Sequence, residues 1–174
     1  MRCSVLGGLN LIRGAVIIIM ASLVSTSLTS VLATEGTIGQ GINADVHAWM
    51  SNSNSRITFA ITNYSDHKLT LKRANIPWLS AYSLEFIVVK TNSVDGKTST
   101  IQMALPVIDP PVGDIVIPPH TTATGTLNLA PLFRTLEKES MTNDVLIRWT
   151  YVMRQQRLSK TFSGKILIPK GVTH

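Results

Sequence analysis

Cysteine is nearly absent from this 174-residue chain: the only one is Cys3, so no internal disulfide can staple a fold. A domain of this length does without one if it builds a sufficient apolar core. The four histidines, His47, His67, His120 and His174, are far apart, and none forms the i, i+4 pair of a His-Glu-x-x-His helix. No serine stands in a Gly-x-Ser-x-Gly elbow. Asp109 and Asp114 flank prolines, but calcium asks for about six or more oxygens and this loop offers few. We therefore expect no catalytic residue, no metal ligand and no cofactor. Internal repeats, low-complexity tracts and long helical periodicities are also missing, and the length suits one domain.

A long apolar run is missing too, although a short one opens the chain. Arg2 and Arg13 frame a basic region, and an uninterrupted apolar stretch of 11 residues runs from Gly14 to Val24. A Ser/Thr-rich stretch then leads to Val31-Leu32-Ala33, whose small residues suit a signal peptidase, with cleavage between Ala33 and Thr34. The apolar core falls short of the roughly 20 residues that span a bilayer. The expectation is a signal peptide over residues 1–33 and an exported protein, periplasmic or secreted. The alternative is an uncleaved membrane anchor over residues 14–33. A lipoprotein would need cysteine where Thr34 stands. Two of the 16 basic residues and none of the 10 acidic ones precede Thr34, so the rest carries a formal +4, against +6 for the whole chain. That excess is a weak argument for a polyanionic partner.

Residues 34–44 are Gly- and Thr-rich and read as a flexible leader, and residues 45–170 as the domain. In Arg56 to Thr62, Ile57, Phe59 and Ile61 share one face at the period of a half-buried strand. Leu69 and Leu71 do the same in His67 to Lys72. Asn63-Tyr64-Ser65-Asp66 supplies turn formers, so these two segments are expected to be neighbouring strands. Leu84, Phe86 and Val88 alternate up to Lys90, and Asp95-Gly96 marks a hairpin into Lys97 to Met103. Prolines at 106, 110, 111, 118 and 119 bound a short strand at Asp114 to Ile117. Thr121 to Leu129 alternates again. Val145, Ile147, Trp149, Tyr151 and Met153 then make one face of the clearest strand, and a turn at Gln155 to Arg157 leads into Lys160 to Ile168. Only Ala130 to Met141 suits a helical turn. Short strands with regular turn signals predict an all-β fold, a single antiparallel Ig-like or fibronectin-type β-sandwich.

The order of these signals carries a resemblance. Ile61 to Leu69 is similar to the strand, Asn, small polar turn and strand of several Ig-like extracellular domains. It continues through Lys72 to Trp78, Phe86, Ile115 to His120, Thr126 to Leu129 and Ile147-Arg148-Trp149. This order resembles the non-catalytic β-sandwich domain that precedes the zinc domain of deuterolysin-type peptidyl-Lys metalloendopeptidases. It is similar, more loosely, to small β-sandwich proteinase inhibitors of bacilli. The resemblance spans about Ile57 to Ile168 and rests on order and spacing rather than on a sharp motif. It implies a fold and an accessory role, and it transfers no catalytic residue.

Two surfaces stand out. The proline-rich span from Pro106 to His120, with Pro110, Pro111, Asp114, Pro118, Pro119 and His120, is the expected contact with another exported protein. Arg148, Arg154, Arg157 and Lys160 lie on or near the last hairpin and form the expected basic patch for an anionic envelope surface; the plainer reading is a solvated face that discourages edge pairing. Trp149 is expected in the core and Trp78 at a capped core edge or on an exposed carbohydrate platform. The burial of Trp49, which faces away from Val46, Ala48 and Met50, is left open. Asn63-Tyr64-Ser65 matches the glycosylation sequon. Nucleic acid is not expected without interleaved exposed aromatics, and the protein is expected to be a monomer or weak oligomer. The function these features suggest is an exported, non-catalytic binding module acting by protein–protein contact, associated with a peptidase. An envelope surface-attachment protein is the alternative. A small hydrolase of unrecognised type is the third, and it would show a cleft with a titratable group of shifted pKa.

Overall fold

The computed structural model describes residues 41–51, 54–104 and 109–171. The expected signal segment with Cys3 and Ala33, most of the expected leader including Thr34, Pro106 and His174 lie outside the described residues. Among those described, the chain forms nine strands and one short helix. In order these are β1 (Ala44–Met50), β2 (Arg56–Asn63), β3 (Leu69–Lys72), β4 (Leu84–Asn92), β5 (Thr98–Ile101), β6 (Asp114–Ile117), β7 (Thr122–Asn128), α1 (Leu136–Thr142), β8 (Asn143–Gln155) and β9 (Leu158–Ile168). Single 3-10 turns at Arg73–Asn75 and Ala81–Ser83 link β3 to β4.

The protein is mainly β, with antiparallel pairing throughout. Three sheets run in the orders β1-β2-β7, β3-β6 and β5-β4-β8-β9. Alternation in the sequence becomes alternation in burial because successive side chains leave a strand on opposite faces. On β8, Val145, Ile147, Trp149, Tyr151 and Met153 are all buried, while the residues between them are not. Phe59 of β2 meets Trp149 of β8 edge-on, centroids 5.5 Å apart at 84°. Phe86 of β4 meets Phe133 in the same way at 6.0 Å. The two larger sheets thus share one core, in which Ile57, Ile61, Leu71, Ile117 and Ile147 are fully buried.

The expectation that the strands around Asn63 to Asp66 are neighbours is overturned. β2 is flanked by β1 on one edge and β7 on the other, so it has no free edge for β3. β3 pairs with β6 instead, and residues 64–68 carry the chain from one sheet to another. The outer edge of β7 has no strand partner among the described residues, and its sequence, Thr-Ala-Thr-Gly-Thr-Leu-Asn, holds no charge and no proline.

Two indoles sit over glycines. Gly164 of β9 lies opposite Trp149, and a Cβ there would stand 2.7 Å from the indole Cε2 and Cζ2. Gly125 of β7 holds the ring of Trp78 still closer, so Trp78 is half-buried against the core rather than an open platform. The same strand β8 buries two donors, Trp149 Nε1 and the Tyr151 hydroxyl, without a hydrogen-bond partner. Tyr151 stacks on Phe162 with centroids 6.3 Å apart, and burial pushes its phenol far above the ordinary value of 10.0.

Two outcomes follow for stability. Gly164→Ala should cost about 1–3 kcal/mol in urea unfolding, because the new methyl must displace a packed indole. Tyr151 has its folded-state pKa raised, so its share of stability is full below pH 10 and is lost as pH rises beyond it. Tyr151→Phe should flatten that alkaline loss. At neutral pH it should leave stability unchanged or raise it by about 1 kcal/mol, because the hydroxyl it removes is unpaired. Melting temperatures at pH 7 and above 10 test both arms.

Candidate functional site

Asn63 ends β2 with its side chain turned inward and only 1% exposed. Its Nδ2 lies 2.8 Å from the His67 carbonyl, 3.1 Å from that of Ile117 and 3.1 Å from that of Pro118. Its Oδ1 accepts from the Ser65 backbone N–H at 3.1 Å and lies 2.7 Å from the Ser65 hydroxyl. One amide therefore closes an Asx-type turn over Ser65 and ties that turn to the end of β6. The backbone adds to the knot: Asn63 N–H donates to Thr121, Tyr64 N–H to Asn43, and Asn43 Nδ2 donates back to Tyr64. This accounts for the sequon match. A glycan on Nδ2 would remove a proton already in use and would have no room.

Four connections meet around this knot: residues 41–43, 64–68, 118–121 and the β8–β9 turn. Asp66 Oδ1 and His120 Nε2 are 2.9 Å apart and bridge two of them at the surface. Gly41, at φ 118°, lies so close to Leu158 that a Cβ would approach its Cδ1 to 2.5 Å. Gln156 closes the β8–β9 turn at φ 52°, a left-handed conformation held by a non-glycine residue. Together Gly41, Asn43, Ser65, Lys68, Gln155 and Leu158 line a recess of about 270 Å3. Leu158, 41% exposed, stands on its wall with Arg157 exposed next to it in the chain, and Tyr64, 50% exposed, lies in sequence between Asn63 and Ser65, which both line it. Of these, Tyr and Arg are residue types enriched at protein interfaces.

The proline-rich span is not one surface. β6 divides it, with Asp109 to Gly113 at one end and Pro118 to His120 at the other, about 13 Å apart along four residues of strand. Pro118, Pro119 and His120 are exposed at the knot. Pro110 is exposed and Pro111 half-buried on the remote loop, beside Val112. There Asp114 pairs with Lys72 at 2.8 Å and the Gly113 carbonyl accepts from Arg73.

The basic patch is likewise dispersed by register. Lys160 lies opposite Met153, on the core side, and its Nζ donates to the Ala44 carbonyl at 2.8 Å and stands 5.0 Å from the Phe162 ring centre. It ties β9 to β1 and does not join the other three. Arg148 and Arg154 do share the outer face, but five residues of strand separate them. Arg148 faces Lys165 across the ladder, and Arg157 occupies the turn. Among the described residues no three His, Cys, Asp or Glu side chains cluster as metal ligands would. His47 pairs with Asp45 at 3.0 Å on the outer face of β1, and His67 is exposed.

Sequence reasoning placed Asn63 in a turn and missed that it holds three segments together. The Asn-x-Ser spacing is the signal of the local turn, and nothing in it marks the remote carbonyls of Ile117 and Pro118. Asn63→Ala should cost about 2–3 kcal/mol by leaving buried groups unpaired. Asn63→Asp should be worse as pH rises, because a carboxylate facing three carbonyl oxygens has a raised pKa and destabilises the fold once ionised. Denaturant midpoints at pH 4 and pH 8 would show the difference.

No protein-family model matches the chain, and no curated protein matches it. Of the resemblance drawn from the order of strands, what the structure bears out is a mostly-β antiparallel protein with several sheets.

Proposed function

We propose that the chain is an exported, non-catalytic binding domain with an Ig-like β-sandwich fold, acting by contact with another exported protein. Two antiparallel sheets facing one core, with connections gathered at the strand ends, support the sandwich reading. The observation that carries the function is the knotted end of the molecule. The Asn63 amide fixes the turn that carries Tyr64, and Leu158 lines the adjoining recess with Arg157 exposed next to it in the chain, so part of the backbone that would meet a partner is already ordered. The order of strands resembles a peptidase accessory domain, which makes an exported peptidase the partner class to test. The basic hairpin loses Lys160 to the core side and gains only Lys165 opposite Arg148, so surface attachment ranks second.

The test is affinity capture from the extracellular or periplasmic extract of the source cells, read by mass spectrometry. The expected result is one dominant protein retained by the native chain and lost, by at least about tenfold in affinity, with Tyr64→Ala and Leu158→Ser together. Equal retention by the double variant would move the contact elsewhere. Retention only on polyanions, abolished by salt, would favour surface attachment through Arg148 and Lys165.

A further inference from the structure

At the opposite end of β2 from Asn63, the end of β1, the start of β2, the end of β7 and the start of α1 border an open groove of about 760 Å3. That is within the range of small-molecule sites, about 300–1,000 Å3. Trp49, Ser51, Arg56, Thr58, Thr126 and Glu137 line it. Trp49 stands on the outer face of β1 and is 39% exposed. A large aromatic ring left partly in water on an outer sheet face presents apolar surface on which a ligand can stack.

Beside the ring runs a row of hydroxyls set by the register. Ser51 Oγ lies 2.5 Å from Thr58 Oγ1, and Thr58 Oγ1 lies 3.0 Å from Thr126 Oγ1 across the β2–β7 ladder. Three hydroxyls hold three protons and this row uses two of them, so it offers a ligand both a donor and spare lone pairs. Arg56 contributes donors only and Glu137 acceptors only, and their charges cancel. An apolar ligand would strip water from this row without replacing its hydrogen bonds. A polyanion would meet Glu137 and a polycation Arg56. A sugar ring presents a C–H face to an indole and an edge of mixed donors and acceptors to such a row.

We propose that this groove binds a neutral oligosaccharide, with one pyranose ring stacked on Trp49 and its hydroxyls bonded to Ser51, Thr58 and Thr126. The contacts at Trp49, Thr58 and Thr126 lie about 17 Å along β2 from Asn63, so the site stands or falls apart from the protein-contact reading.

The experiment titrates the full chain with cellohexaose and with chitohexaose, following tryptophan emission and heat of binding. The expected outcome is saturable binding of one of them with a Kd on the order of 1 mM or tighter, unaffected by sodium chloride because no net charge is involved. Trp49→Ala should weaken it at least about tenfold and Trp49→Phe much less. Thr58→Val, which keeps the ring, should weaken it several-fold with the melting temperature held. Silence with both saccharides at concentrations on the order of 10 mM, binding that survives Trp49→Ala, or binding abolished by salt would each overturn the proposal. Capture through Tyr64 is read on the same variants and is expected to be unchanged, so the two readings fail separately.

Discussion

The Asn63 side chain is the constraint on which the arrangement of the sheets turns. A buried amide has two protons and two lone pairs, and each must find a partner or cost the full price of desolvation. Here the protons are shared among His67, Ile117 and Pro118 and the oxygen serves Ser65. The chain can satisfy all of them only if β2 stops at residue 63, the next five residues fold back, and β6 ends beside them. The crossing from β2 to β3 and the entry into β7 are therefore set by one residue. Backbone bonds from Asn63 to Thr121 and from Tyr64 to Asn43 extend the same geometry to both neighbours of β2.

Packing between the large sheets obeys a second rule, that a ring needs a place from which a side chain has been withheld. Trp149 occupies the space over Gly164, and its edge contact with Phe59 then brings β2 and β8 face to face. Trp78 uses Gly125 in the same way at the rim. The fit has a cost, because the indole N–H of Trp149 and the hydroxyl of Tyr151 are left in apolar surroundings without acceptors. Large rings fill volume well, and β8 tolerates two unpaired donors in exchange.

Strand existence was legible in the sequence because burial of one face of a strand and not the other writes a period of two. The 13 residues of β8 and the β4–β5 turn at Asp95-Gly96 carried that period clearly. Pairing was not legible where it depended on which edges were already taken: the strands on either side of Asn63 are consecutive but belong to different sheets. The same limit applied to sites. Lys160 is close in sequence to Arg154 and Arg157, yet its position opposite Met153 sends it to the other face. The proline-rich span looked continuous and was cut by β6. The rows of Trp49, Thr58 and Thr126 belong to three strands and become neighbours only through register.

The bare flank of β7 has a consequence for how this molecule behaves in company. Among the described residues no strand pairs with its outer edge, and its seven residues, Thr-Ala-Thr-Gly-Thr-Leu-Asn, carry no charge to turn a stranger away. Two copies approaching along that flank would meet no charge on the strand itself and could continue the hydrogen-bond ladder from one molecule into the next. Solubility at high concentration then rests on the formal positive charge carried elsewhere on the chain, a long-range repulsion that salt weakens.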